Sequence, residues 1–239
     1  MKFILQPKAL LTFLCIVVSL KSLSQVHGSF MVNGTIDKFY PVVFTDSAWE
    51  HSVASELEIG RSGVHRDAQS EWRGSVIAKF RYHTNNWGNY SNFIDADIRQ
   101  YNYTTANPYD KFIAGWKDAT AANGAKIIII WLRGNTSYDY VSRYNDKVFV
   151  HDGTAAGPLP YTKTNGDSYT FKTAIDSYVN YSGSTYSSNT YSLGGYNYFS
   201  GNVGIGIAST AARLEVAGIW RWTTAGWYRT IKLGRAQSI

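Results

Sequence analysis

The chain of 239 residues carries 23 basic and 17 acidic side chains, and only 17% of its residues are charged. These charges are scattered, which excludes the clustered basic stripe that is typical of a nucleic-acid-binding protein. Aromatic residues make up 15% of the chain, and 21 residues are glycine. Aromatic side chains suit half-buried pleated strands and glycines suit tight turns, so the composition favours an all-β protein.

The first 24 residues predict a secretory signal peptide. Lysines at its start precede an apolar run over residues 9–20, which is shorter than the roughly 20 residues of a membrane-spanning helix. Ser22 and Ser24 then place small residues before a cleavage site at Gln25. We therefore expect a secreted or cell-surface protein with no membrane span in the mature chain. The only cysteine and three lysines leave with the signal, so the mature chain has no disulfide and a small net charge.

Short stretches with strand periodicity follow, separated by turn signals. Residues 53–59 and 75–83 alternate cleanly between two faces, and residues 93–98 do so less tidily. Residues 126–132 form a continuous apolar run, which is typical of a strand buried on both faces. Weaker strand patterns lie at residues 38–45, 147–150 and 169–172. This spacing predicts a β-sandwich or jelly-roll-like domain over residues 30–176.

The composition changes after residue 176. Residues 177–200 are dominated by Tyr, Ser, Asn, Gly and Thr, and such a stretch cannot build a conventional core alone. We expect either a flexible linker or part of a fibre in which neighbouring chains supply the packing. Residues 201–239 regain strand alternation and form a fibre-like β segment. They end without a closing element, which a docking partner, a second chain or a truncated reading frame would each explain.

The most distinctive string is Gly-Asn-Val-Gly-Ile-Gly at 201–206, followed by Ala-Arg-Leu-Glu-Val-Ala-Gly at 212–218. It resembles a segment of phage tail-fibre proteins and related secreted bacterial surface proteins, where it often precedes a self-cleaving C-terminal chaperone domain. Residues 31–36 weakly resemble an entry strand of those proteins. Ile207 stands where the family usually has Thr, and the family's nearby Pro is missing. Only 21 residues follow Gly218 in this sequence, so we expect no chaperone domain here and do not carry over autocleavage.

The same string also predicts how copies of the chain assemble. Its glycines allow close approach of chains, and Val203, Ile205 and Ile207 form a narrow apolar edge. In a three-fold arrangement this edge would meet its symmetry mates, so we expect a homo-oligomer, most simply a trimer. The alternative is a surface hairpin in a monomer.

Two pairs of acids lie at alternate positions of predicted strands, Glu56 with Glu58 and Asp95 with Asp97. Such pairs usually form the solvated face of an amphipathic strand. The alternatives are a calcium site at Asp95 and Asp97, or a glycoside-hydrolase pair. The histidines show no metal-ligand spacing, and no nucleophile motif is present in the mature chain. We therefore expect no enzymatic activity, no cofactor and no resident metal.

The segment between the strands at 75–83 and 93–98 predicts a ligand-binding loop, because loops on rigid β-scaffolds often carry binding groups. Trp87 and Tyr90 could stack on sugar rings. Asn85, Asn86 and Asn89 could form hydrogen bonds with sugar hydroxyls. The alternative is a turn in which the tryptophan packs back on the core.

These features lead to three hypotheses. The first is a secreted structural or adhesion protein of the tail-fibre type that binds a surface glycan or another cell-surface ligand. The second is a secreted carbohydrate-active enzyme, and the third is a free lectin-like module. No nucleic-acid partner is expected.

Overall fold

A computed structural model describes residues 25–61, 74–101, 109–120, 125–164, 166–207 and 212–217. The described chain is almost entirely β-structure, with two short 3-10 helices at Ser47–His51 and Asn86–Gly88. The predicted all-β, sandwich-like fold is confirmed. The predicted signal peptide lies outside the described residues. The described chain forms two compact units, one up to Thr190 and one from Tyr191 onward.

The larger sheet of the first unit has six strands, and every neighbouring pair is antiparallel. Its strands are β1 (Val26–Val32), β3 (Ser55–Arg61), β4 (Ser75–His83), β5 (Phe93–Tyr101), β8 (Thr136–Ser142) and β12 (Ser182–Thr185). They lie in the order β1-β8-β3-β4-β5-β12. The strands predicted from alternation at residues 53–59, 75–83 and 93–98 thus occupy adjacent central positions as β3, β4 and β5.

The second sheet of this unit has four antiparallel strands in the order β6-β7-β2-β9. They are β2 (Phe39–Thr45), β6 (Ile113–Asp118), β7 (Ile127–Arg133) and β9 (Val148–Val150). Strands β2 and β7 pair along their whole length. Both are almost wholly buried, because this sheet is covered on both faces.

The main core lies between the two sheets. On β4 the residues that face it are Val76, Ala78, Phe80 and Tyr82, all buried, while the alternate residues face solvent or the outer surface. Successive side chains of a strand point to opposite faces, so the alternation of buried and exposed residues on β4 is that of a half-buried strand. Each fully buried large apolar side chain stabilises the folded state by about 1.5–3 kcal/mol relative to exposure.

A second apolar layer covers the other face of the four-stranded sheet. On β7, Ile128 and Ile130 belong to the main core, whereas Ile129 and Trp131 belong to the second layer. A short hairpin of β10 (Tyr161–Thr162) and β11 (Ser168–Tyr169) contributes Tyr169 to this layer. The continuous apolar run at residues 126–132 therefore does form a strand buried on both faces, as predicted.

The predicted linker at 177–200 is wrong in its first part. Strand β12 lies inside that range and pairs with β5, so the first unit continues to Thr190. Two tyrosines dock this segment on β6. The Tyr181 hydroxyl donates to the Ile113 carbonyl, and the Tyr178 hydroxyl donates to the Trp116 carbonyl at 2.7 Å. A β-bulge places Gly115 beside the segment, where an added Cβ would lie 2.0 Å from the Asp176 carboxylate, so only glycine allows this approach.

The predicted entry strand at residues 31–36 is also corrected. Strand β1 begins earlier and ends at Val32, and the chain then turns at Gly34, whose φ of +78° favours glycine. The buried Asp152 carboxylate holds this turn by accepting hydrogen bonds from the backbone and side-chain nitrogens of Asn33, both at 2.9 Å. Residues 33–36 therefore form a turn held by Asp152 and do not continue the strand.

The second unit contains one short parallel pair among its described residues, β13 (Val203–Ile205) with β14 (Leu214–Val216). Ile205 remains 55% exposed and no residue of the pair is buried. Large apolar side chains are also exposed before it, at Tyr191, Leu193, Tyr196, Tyr198 and Phe199. An isolated two-stranded pair without a buried face is marginally stable at best.

Candidate binding site

Four connections meet at one end of the first unit, those that join β2 to β3, β4 to β5, β6 to β7, and β8 to β9. The backbone nitrogen of Asn85 in the β4–β5 loop donates to Asp118 at the end of β6, at 2.7 Å. The backbone nitrogen of Ser47 in the β2–β3 connection donates to Asp146 in the β8–β9 connection, at 2.9 Å. Loops that cluster on the end of a rigid sandwich are a common place for binding groups.

The β4–β5 loop at residues 84–92, called here the aromatic loop, presents two large rings to solvent. Trp87 is 76% exposed and Tyr90 is 92% exposed. The tryptophan therefore does not pack back on the core. Both residues have left-handed backbones, with φ of 57° and 56°. That conformation costs a non-glycine residue about 1–2 kcal/mol, so the loop keeps two aromatic side chains outward against a local energetic preference.

Asn85 and Asn89 brace the aromatic loop from inside. The side-chain oxygen of Asn85 accepts from the Tyr90 backbone nitrogen at 3.4 Å. The Asn89 amide nitrogen donates to the Thr84 carbonyl at 3.1 Å and lies 3.2 Å from the His83 ring nitrogen. In the structure the side chains of both asparagines hold the loop's shape and stay half-buried, and their predicted hydrogen bonds to ligand hydroxyls stay a prediction.

Asn86 does not belong to the accessible site. Its side chain is fully buried, and neither its amide nitrogen nor its amide oxygen has a hydrogen-bond partner among the described residues. A buried amide cannot touch a ligand on the surface, so its predicted role in ligand binding is corrected. An unpaired buried polar group costs about 1–3 kcal/mol, so Asn86 is a second costly feature of the same loop.

The anchor of the aromatic loop is Asp46, which sequence reasoning missed. Its buried carboxylate accepts hydrogen bonds from the Thr84 backbone nitrogen at 2.8 Å, the Thr84 hydroxyl at 3.0 Å and the Ser55 hydroxyl at 2.8 Å. Beside it, the Trp49 ring stacks on His83 with centroids 6.0 Å apart and donates from its indole nitrogen to the Thr84 carbonyl. The sequence does place an acid directly after the apolar strand β2. A carboxylate buried at that position needs hydrogen-bond donors, so this placement could have identified Asp46 as an anchor.

A second buried acid, Asp146, lies below the same loops. It accepts from the Ser142 hydroxyl at 2.6 Å and lies 3.5 Å from the Ser55 hydroxyl that also binds Asp46. Burial raises the pKa of Asp146, the hydrogen bonds from Ser142 and Ser47 oppose this rise, and the nearby Asp46 charge adds to it. The two carboxylates thus share one buried hydrogen-bond network beneath the candidate site.

The four predicted acids converge on the outer face of the six-stranded sheet. Glu56 and Glu58 stand on β3, Asp95 and Asp97 stand on β5, and β4 lies between them. Basic residues lie beside three of these acids: Arg143 is 3.3 Å from Glu56, Lys79 is 3.5 Å from Glu58, and Arg99 is 2.9 Å from Asp97. The sequence predicted each pair but not that the two pairs share one surface.

The weak calcium alternative at Asp95 and Asp97 gains no further ligand from the structure. Asp95 accepts hydrogen bonds from the backbone nitrogen and hydroxyl of Ser187, and Asp97 accepts one from Ser184. Across the described ranges, no group of three or more His, Cys, Asp or Glu side chains is placed to hold a metal ion.

The described part of the chain also contains no helix that is long and apolar enough to cross a membrane. Comparison with known proteins adds no relative: no family model, no curated protein and no solved structure matches this chain.

Proposed function

We propose that this protein is a secreted, tail-fibre-like adhesion protein that binds a surface glycan through its aromatic loop. The observation that carries the proposal is the outward exposure of Trp87 and Tyr90 on left-handed backbone. An aromatic ring offers a flat apolar face with few rotatable bonds, which suits the apolar face of a sugar ring. The buried Asp46 carboxylate fixes the start of the aromatic loop at Thr84, and the side chains of Asn85 and Asn89 hold its interior. Binding therefore has less of the loop left to order.

The test uses the exported protein on an array of immobilised neutral and acidic oligosaccharides. Trp87→Ala/Tyr90→Ala should weaken binding about tenfold, since an aromatic contact contributes about 0.5–1.5 kcal/mol. Tyr101→Ala is the matched control, because Tyr101 is also exposed but lies at the opposite end of β5. A double variant that binds as the wild type does, or a wild type that binds no glycan, would contradict the proposal.

The fibre-like part of the proposal concerns assembly through the second unit. Among the described residues of this unit, large apolar side chains such as Leu193 and Ile205 are exposed. A closed oligomer, most simply a trimer, would bury them between copies. Light scattering should therefore give a multiple of the monomer mass, and Ile205→Asp should reduce it to one copy. The control is Ser200→Asp, which adds the same charge at an exposed polar position. A wild-type monomer would favour the lectin-like alternative.

A secreted carbohydrate-active enzyme remains the second candidate, because four carboxylates converge on one surface. We expect no turnover, since three of these acids lie beside basic residues in ion pairs. Reducing-end assays on a panel of soluble polysaccharides check this expectation. Turnover that is lost in Glu58→Ala or Asp95→Ala would establish the enzyme instead.

A further inference from the structure

The outer face of the six-stranded sheet contains a depression of about 510 Å³, and no residue of the aromatic loop lines it. Side chains of β3, β4 and β5 form its floor, and Ser184 and Tyr186 at the β12 side form a wall. Gln25 also lines it. The face of an antiparallel sheet that points away from the core is usually flat and solvated, so a walled depression there is a distinct feature.

The floor of the depression carries two rows of alternating charge across the strands. In one row, Arg81 is the register partner of both Glu56 and Asp95. In the next row, two residues along each strand, Lys79 is the register partner of both Glu58 and Asp97. Successive strands lie about 4.8 Å apart, so hydrogen-bonding groups repeat at a fixed interval across the floor.

Several of these groups are fixed in orientation. Asp95 accepts two hydrogen bonds from Ser187, at 3.0 and 3.2 Å. The Arg81 guanidinium lies 4.9 Å from the centre of the Phe93 ring, in a cation–π contact. A ligand that meets pre-oriented donors and acceptors loses less free energy to side-chain ordering.

The charge balance identifies the kind of ligand. Four acids and three bases line the depression, and Arg99 pairs with Asp97 at its edge, so the surface is close to neutral and favours neither a polyanion nor a polycation. Carboxylate oxygens and guanidinium nitrogens can bond several groups at once, and adjacent hydroxyls of a sugar present both donors and acceptors. Tyr186 is 61% exposed at the wall and offers a ring for stacking.

We propose that this depression is a second binding site, which takes an uncharged, polyhydroxylated chain such as a neutral polysaccharide. The chain lies across the two charged rows and stacks one sugar ring on Tyr186. The site is separate from the aromatic loop, so the two sites together would let one protein bind two positions of a glycan surface. Such divalent binding strengthens attachment without new contacts.

The test is electrophoresis of the mature protein in native gels that contain hydroxyethylcellulose, soluble starch or yeast mannan. Parallel gels contain heparin or no polymer. Tyr186→Ala and Arg81→Gln should weaken retardation by a neutral polymer about fivefold to tenfold. Ile77→Ala is the matched control, because Ile77 faces outward on the same strand as Lys79 and Arg81 but does not line the depression. Thermal unfolding of each variant confirms that it is folded.

The loop variant Trp87→Ala/Tyr90→Ala separates this proposal from the proposed function. If the loop variant keeps its retardation by neutral polymer while Tyr186→Ala loses it, the second site is established, whatever the loop binds. If the loop variant loses retardation and Tyr186→Ala keeps it, the second site is overturned and the loop site stands. Retardation by heparin alone, or by none of the neutral polymers, also overturns the second site.

Discussion

Replacing Asp46 by alanine removes the carboxylate that joins the end of β2 to the start of the aromatic loop. Asp46 is buried, and all three of its hydrogen bonds come from buried groups of Ser55 and Thr84. The Thr84 backbone nitrogen then has no acceptor and no route to water. The substitution therefore tests whether this network holds both the fold and the loop.

The magnitude follows from the three lost hydrogen bonds. A hydrogen bond to a charged acceptor contributes about 1.5–3 kcal/mol, and a buried donor left unpaired costs about 1–3 kcal/mol. The terms are not additive, and alanine also removes the unfavourable burial of a charge. We expect Asp46→Ala to lower the free energy of unfolding by about 3–5 kcal/mol. Asp46→Asn keeps one acceptor oxygen, so it should cost about 1–2 kcal/mol.

Urea unfolding followed by circular dichroism measures the stability change, and hydrogen exchange of residues 84–92 measures the loosening of the loop. Asp37→Ala is the control, because Asp37 is exposed and such substitutions usually change stability by less than about 0.5 kcal/mol. A loss below about 1 kcal/mol in Asp46→Ala, or equal losses in the alanine and asparagine variants, would show that this carboxylate does not anchor the loop. Loop amides that exchange no faster in the alanine variant than in the wild type would show the same.

Three further predictions concern the same unit. Burial raises the pKa of Asp146 and the Asp46 charge adds to it, so the folded state favours the protonated form and ionisation lowers stability as pH rises. The stability of Asp146→Asn relative to wild type should therefore increase between about pH 4 and pH 7, and a constant difference in urea midpoints would contradict this. Tyr178→Phe removes the hydroxyl that binds both backbone groups of Trp116, so thermal unfolding should report a loss of about 1–3 kcal/mol, and no loss would show that β12 docks by other means. Tyr90→Gly should be about 1 kcal/mol more stable than Tyr90→Ala, because the left-handed backbone favours glycine, and the reverse order would show that the loop is not strained.

The strands that could be predicted from sequence are those in which the pattern of apolar and polar residues matches the burial of each face. Strand β4 has one face in the core and one charged face, so its residues alternate. Strand β7 has apolar layers on both sides, so its residues form a continuous apolar run, and each pattern predicts its strand. Strand β12 is different, because its sequence Ser-Gly-Ser-Thr has no apolar face. It forms because β5 offers an edge and because Tyr178 and Tyr181 bind backbone groups of β6. These are contacts between distant segments, which composition alone cannot reveal.

The candidate site was predictable in its exposed part and not in its support. Trp87 and Tyr90 stand out as aromatic residues in a polar turn segment, and the structure places both in solvent. Asn86 looks the same as its neighbours in sequence, yet it is buried, because a single loop residue's direction depends on backbone geometry. The two charged rows could not be predicted from sequence either, because the alignment of Glu56 with Asp95 depends on the register of three strands.

Several locally unfavourable features of the first unit lie in the aromatic loop. Two aromatic residues on left-handed backbone and the buried, unpaired amide of Asn86 all lie within residues 86–90. Each of these features costs about 1–3 kcal/mol, and the network around Asp46 offsets that cost by holding the loop's start. A connection with no role beyond joining β4 to β5 could use glycine at positions 87 and 90 and avoid the strain. Locally unfavourable geometry that the surrounding fold maintains is characteristic of functional sites, and here it keeps two rings facing outward where a ligand can reach them.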